Sequence, residues 1–178
     1  FTIGEKNALG QKISVPIPEA HQSSGSEFRI RFHYKTGPEA SAVQWLDPSN
    51  TAGKQRPFMF TQCQAIHARS LLPCMDSPGV KVTYSASVSC PEWCTVLMSA
   101  LQEGEKVPGS GGSVTYNYRQ PVPTSCYLIA FAAGRLSSKD ISGRVRIWAE
   151  PEVTDSAAFE FSQTEEFLKT AESLTCPY

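Results

Sequence analysis

An all-β sandwich with one helical appendage is the fold this sequence predicts, and three observations carry that reading. Apolar and polar residues alternate with period 2 along most of the chain, the pattern of strands that bury one face. Glycine, proline, serine and Asn/Asp clusters separate these runs and supply the backbone freedom and local hydrogen bonding that tight reversals need. Helical spacing is confined to two places, near residues 65–72 and near 155–174. Many short strands with helix concentrated at the end favour sheet packed on sheet.

The elements follow in order. "KISVPIP" sets Ile13, Val15 and Ile17 on one side, and "EFRIRFHYKT" predicts Phe28, Ile30, Phe32 and Tyr34 inward with Arg29, Arg31, His33 and Lys35 in solvent. Further strands are expected at "AVQWL", "PFMFTQ", "VKVTYSASVS", "TVLMSA", "SVTYNYRQ", "CYLIAFAAGRL" and "RVRIWAEP". "PGSGGS" reads as a hairpin loop, not an interdomain linker. "AIHARSLLP" predicts one or two helical turns that Pro73 ends, because proline cannot continue a helix. From Asp155 to Leu174 the residues Ala157, Phe161, Leu168, Ala171 and Leu174 form an apolar stripe. Ser162 and Glu165 there have the spacing of a capping box that would start a second helix.

Size and charge limit the functions available. A chain of 178 residues buries roughly 70% of its unfolded surface, so it folds without needing metal or disulfides; one domain, residues 1–178, is expected. Sixteen basic and 17 acidic residues give a net charge of −1 with no block of one sign. That argues against nucleic acid or an anionic membrane surface as partner. The longest apolar run, "CYLIAFAAG", is too short to span a bilayer. The chain starts at Phe1 and stops behind a helical pattern at "LTCPY", so both ends are expected to be cuts from a longer protein. Six cysteines, several inside strand-like runs, suit free thiols in a reducing cytoplasm better than the three bridges of a secreted domain.

The stretch "TQCQAIHARSLLPCMDSP", Thr61 to Pro78, concentrates the residues capable of chemistry. Cys63 with His67 and Cys90 with Cys94 are each four apart, a spacing a zinc centre accepts. "VKVTYSASVSC" is a strand and not a zinc knuckle, however, and the metal reading is set aside. A Cys63–His67 nucleophilic pair lacks a third residue to orient the imidazole, and a satisfied histidine is the plainer role. Asp76, followed by Ser-Pro-Gly, suits a rigid turn and lies within reach of Arg69 for a charge-assisted contact. Gln62 and Gln64, two apart, point to one face and together offer amide donors and acceptors to a peptide backbone. Residue chemistry alone stops at a β module able to bind a ligand.

The phrases "QWLDP…TAGK…P" and "TQCQAIHARSLLPCMDSP", with "PVPTSCYLIAFAAGRL", "RVRIWAEPE" and "FEFSQTEEFLKTAESL", resemble the N-terminal domain of M1 zinc aminopeptidases. The similar branch holds leukotriene A4 hydrolase and aminopeptidase B, with the parent on the aminopeptidase B-like side, and the likeness is weakest before about Ser41. The resemblance implies a saddle-shaped β domain that closes over a separate catalytic domain. The family's zinc ligands and glutamate base would follow this chain, which by itself then binds no cofactor and has no peptidase activity. Its own contribution is the strand end "TQCQA": Gln64 would face the N-terminal residue of a peptide substrate, with Gln62 and Ala65 lining the same cleft. Two departures are noted. Relatives have strands before the position of Phe1, which leaves a sheet edge without its neighbour, and Cys176 is a poorer left-handed helix cap than the usual glycine. The competing reading is a secreted, disulfide-bonded β-sandwich that binds a partner.

Overall fold

The computed structural model describes residues 1–7 and 9–178. Its strands, in chain order, are β1 (Thr2–Ile3), β2 (Ile13–Ser14), β3 (Val43–Leu46), β4 (Phe58–Thr61), β5 (Lys81–Pro91) and β6 (Thr95–Met98). There follow β7 (Leu101–Gln102), β8 (Val107–Pro108), β9 (Ser113–Ser125), β10 (Phe131–Gly134), β11 (Ser137–Asp140) and β12 (Arg146–Ala149). Three α-helices, α1 (Ala68–Leu71), α2 (Thr154–Glu160) and α3 (Thr164–Leu174), complete the set. The mainly β class and both helical regions expected from the sequence are present.

Two four-stranded sheets form the body. One has the order β3-β4-β10-β6, the other β5-β9-β7 with β8 also on β9. All their pairings are antiparallel. Alternation places Val114, Tyr116 and Tyr118 of β9 on one face, where they pack with Val96 of β6 into a buried cluster. Two tyrosine hydroxyls also tie the sheets together: Tyr118 donates to the Val96 carbonyl at 2.6 Å and Tyr116 to that of Cys94 at 3.2 Å. The opposite face of β9 is polar, with Ser87 donating to Asn117 at 2.7 Å and Ser89 meeting Thr115 at 2.8 Å across the β5 pairing. A second cluster contains Ala42, Cys63, Ala68, Leu71, Cys126 and Ile129, and Met98 packs against both clusters. Gly134 allows β10 to lie close to β4, because a Cβ there would meet the Phe58 ring at 2.5 Å.

Four sequence expectations are corrected. Residues 28–35 form no strand, and Phe28, Ile30, Phe32 and Tyr34 are 46, 46, 41 and 58% exposed. Their backbone makes no hydrogen bond among the described residues; alternation supplies a face, but a strand also needs a neighbour to bond. "KISVPIP" likewise yields only the two-residue β2, with Ile17 exposed. The C-terminal helix does break near Ser162, but no capping box forms: Gln163 precedes α3 without a side-chain cap, and the Glu165 carboxylate accepts from Ser142 at 2.7 Å instead. That diversion also changes the buried face. Arg144 forks to Glu165 at 3.2 Å and Glu172 at 2.7 Å, two residues seven apart and so on one side of α3. Thr154 and Ala158 are the buried positions of α2, while Phe161 and Leu174 of the expected stripe are 55 and 79% exposed.

The chain after β10 is braced against the loop between β3 and β4. Glu150 accepts the Ala52 N–H at 2.8 Å, while Arg135, within the same chain segment as its partner, pairs with Glu152 at 2.5 Å. Gly53 lies close to that contact: a Cβ there would sit 2.9 Å from the Glu152 carboxylate, which would have to swing aside.

Candidate functional site

The alternation of β4 continues for three residues beyond its end. Thr61 and Cys63 are buried, at 8 and 1% exposure, so Gln62 and Gln64 between and after them face solvent, as does Ala65. The Gln62 N–H donates to the Ala42 carbonyl at 2.8 Å, which holds this extension to the residue just before β3. The chain then turns: the Cys63 carbonyl accepts the His67 N–H at 2.8 Å, and the Gln64–Ala65 peptide bond is cis.

The two glutamines have different duties. The Gln62 side-chain oxygen accepts the Gln64 N–H at 2.9 Å, so half of its amide is committed to shaping the turn. The Gln64 side-chain amide makes no hydrogen bond to any described residue and presents its donors and its acceptor outward. Gln64 and Ala65 are therefore displayed by a turn that Gln62 helps to fix. Neutral amides carry no acid–base chemistry near neutral pH; what such a surface has to offer is hydrogen bonding.

Behind the turn, a hydroxyl network locks α1 to the residues before β3. Ser70 Oγ donates to the His67 carbonyl at 2.8 Å and accepts the Ala42 N–H at 2.9 Å. The Ser41 hydroxyl meets His67 Nδ1 at 2.6 Å. His67 is thus partnered by Ser41 and not by Cys63, whose side chain lies in the core, and the nucleophilic pair is not formed. Nor do the two cysteine-containing spacings converge: Cys63 belongs to one buried cluster, while Cys90 packs against the other. All six cysteines are free thiols. Ser41 and Ser70 were not singled out by the sequence, because a hydroxyl near a histidine in three dimensions leaves no signal in spacing.

The contact between Arg69 and Asp76 is present. Asp76 Oδ2 accepts the Arg69 backbone N–H at 3.2 Å and its Nε at 2.5 Å, while Arg69 Nη1 donates to the Leu9 carbonyl at 2.6 Å. Burial pushes the Asp76 carboxyl up, but the hydrogen bonds from Arg69 and Cys126 and the guanidinium charge outweigh it and hold the group below its ordinary value. Cys126 donates its thiol hydrogen to Asp76 Oδ1 at 3.1 Å. Burial first, then that carboxylate, push the Cys126 thiol up to about 12, so it is protonated at neutral pH. Asp76 therefore anchors both ends of the segment that follows the glutamine turn.

Neither of two open grooves elsewhere on the surface is lined by Gln62, Gln64 or Ala65. One runs beside the β5 bulge, between Tyr84 and Arg119; the other, about 500 Å³, lies between Val15–Pro18 and Phe28–Arg31. No helix among the described residues is long and apolar enough to cross a membrane.

Comparison with known proteins bears on this geometry. The family model described as the Peptidase M1 N-terminal domain matches residues 1–128. Leukotriene A-4 hydrolase of Xenopus laevis is 39% identical over 180 residues, covering 100% of this chain and 29% of that protein. Aminopeptidase B of Rattus norvegicus is 41% identical over 170 residues, covering 95% of this chain and 25% of its own length. Among solved structures, native yeast LTA4 hydrolase matches with a TM-score of 0.71 at 36% identity, over 80% of this chain and 22% of that one. The chain spans less than a third of the length of these relatives.

Proposed function

The chain belongs to the Peptidase M1 N-terminal domain family, in the branch of leukotriene A4 hydrolase and aminopeptidase B, and from that we propose that it is the accessory β domain of a zinc-dependent aminopeptidase. In this reading residues 1–178 act as one domain that supplies part of a peptide cleft and docks on the catalytic domain. The water-activating zinc belongs to that catalytic domain, and the ligands for it are outside this chain. Its own residues bind and orient: Gln64 hydrogen-bonds the N-terminal end of a peptide, Gln62 holds the Gln64 backbone, and Ala65 leaves room beside them.

The single observation that carries this reading is the turn itself. An uncommitted amide at Gln64 stands on a backbone that Gln62, Ala42 and His67 hold in place, the preorganisation a binding contact requires. Docking is supported by exposed apolar side chains at the C-terminal end, Phe159 at 77% and Phe167 at 66%, whose burial against a second domain would be favourable. A cytoplasmic setting is supported by six thiols that remain free.

The test is Gln64→Ala in the intact protein. Loss of one polar contact to substrate raises KM or lowers kcat by about tenfold. Kinetics unchanged across a set of short peptides would overturn the role of Gln64, and peptidase activity in the isolated chain would overturn the accessory reading.

A further inference from the structure

Two thiols and a carboxylate converge behind the glutamine turn, and the cleft reading gives the thiols nothing to do. The ligand atoms of Cys74, Asp76 and Cys126 all lie within 4.8 Å of one another. Cys74 and Asp76 come from the turn after α1, Cys126 from the chain just past β9, fifty positions away from Asp76. Asp76 Oδ2 is occupied by Arg69, while Oδ1 faces Cys126. Cys63 lies in the same buried cluster as Cys126, with Cys74 packed against it.

We propose that Cys74, Asp76 and Cys126 form a structural site for a thiophilic divalent cation of the zinc class. Donor type selects the ion. Two sulfurs with one oxygen suit zinc or cadmium, whereas calcium and magnesium want oxygen alone. Size fits as well. Bonds of about 2.3 Å to sulfur and 2.0–2.2 Å to oxygen set tetrahedral donors roughly 3.5 Å apart, so donors already within 4.8 Å need only small side-chain rotations. A water completes four-coordination.

Charge is the third argument. Two thiolates and one carboxylate carry three negative charges. A divalent cation and the Arg69 guanidinium carry three positive ones, so the half-buried assembly is neutral and escapes the cost of uncompensated charge. Binding exchanges two thiol protons, released to solvent, for two metal–sulfur bonds. The ion enters past Cys74, which is partly exposed, while Cys126 is buried. Once bound, it cross-links the 73–78 turn to the end of β9, the two segments against which α1 rests.

Cadmium is the probe, because sulfur-to-cadmium charge transfer absorbs in the ultraviolet only where thiolate is bound. One equivalent added to the intact protein should produce that band. Cys74→Ser and Cys126→Ser should each remove about half of it or more, while Cys176→Ser keeps it, and the wild-type amplitude should be that of two thiolates. A measurement on unmutated protein covers variants that fail to fold. Cadmium should slow alkylation of Cys74, mapped by mass spectrometry, by about tenfold or more, and leave the exposed Cys176 unchanged. A band identical in wild type and Cys74→Ser, or equal Cys74 alkylation with and without one equivalent of cadmium, overturns the proposal. So does protection that appears only at a large excess of cadmium. None of these readouts depends on Gln64 or on peptidase activity, so they stand or fall apart from the cleft reading.

Discussion

Tyr116 and Tyr118 of β9 are 6 and 3% exposed, whereas Phe32 and Tyr34 of the 28–35 segment are 41 and 58% exposed. Both regions alternate apolar with polar residues, and both contain aromatic residues on the apolar side. The difference lies in their neighbours. β9 is bonded along its length by β5 on one edge and by β7 and β8 on the other, and β6 lies beneath its apolar face. Among the described residues the 28–35 segment has no bonded edge; Thr36, just past it, donates its hydroxyl to the Leu71 carbonyl at 3.1 Å. Alternation is a statement about faces, and the free energy of a strand comes from satisfying two edges and covering one face.

The largest effect expected from this contrast is in amide hydrogen exchange. Interior amides of β9 should exchange at least about a hundredfold more slowly than amides of 28–35, since slow exchange requires hydrogen bonds that open only with the core. Protection of 28–35 in the intact protein but not in this chain would sharpen the contrast by showing that the segment finds its neighbour elsewhere. Equal exchange in both regions of this chain would break it.

What the sequence made legible follows the same division. β5 and β9 were expected because long alternating runs sit between strong turn signals. The exposed side of "TQCQA" was also readable, since the period of 2 carries past Thr61. The commitment of Gln62 to the Gln64 N–H was not, because a free side-chain amide and a bonded one have the same letter. The bracing of Ala52 by Glu150, 98 positions away, leaves only the glycine at 53 as a trace. Along α3 the apolar letters misled in part: Arg144 bonded to Glu165 and Glu172 sets the facing side, where Leu168 of the expected stripe is half-buried, while Leu174 is left 79% exposed. The meeting of Cys74 with Cys126 depends on where β9 ends, which no local pattern records.

A second, smaller effect tests whether the 61–78 region is held from within. Asp76→Ala removes the acceptor for two hydrogen bonds from Arg69 and one from Cys126. Breaking a fully buried ion pair costs more, but the Arg69 side chain is 31% exposed, so a loss of about 2–3 kcal/mol is expected in urea unfolding. The pH dependence has a defined sign. The folded carboxyl titrates below its ordinary value, so its contribution is complete above about pH 3.9 and is lost as pH falls through the depressed folded value. The gap between wild type and Asp76→Asn should therefore shrink on acidification below about pH 3.9. A gap independent of pH would mean that the carboxylate's charge does not hold this region.

The smallest effect comes from making one substitution in both regions. Tyr118→Phe deletes a buried hydroxyl that donates to the Val96 carbonyl at 2.6 Å, and a net loss of about 1–1.5 kcal/mol is expected. Tyr34→Phe deletes a hydroxyl that bonds no described residue on a side chain 58% exposed. The change there should stay within about 0.5 kcal/mol, as for other surface substitutions. Because the atoms removed are identical, intrinsic differences between tyrosine and phenylalanine largely cancel in the comparison. What is left is the worth of a hydroxyl placed between two packed sheets relative to one facing water. If the two variants unfold at the same urea concentration, the Tyr118 bond contributes nothing beyond what water supplies. The junction between β9 and β6 then rests on packing of the rings alone.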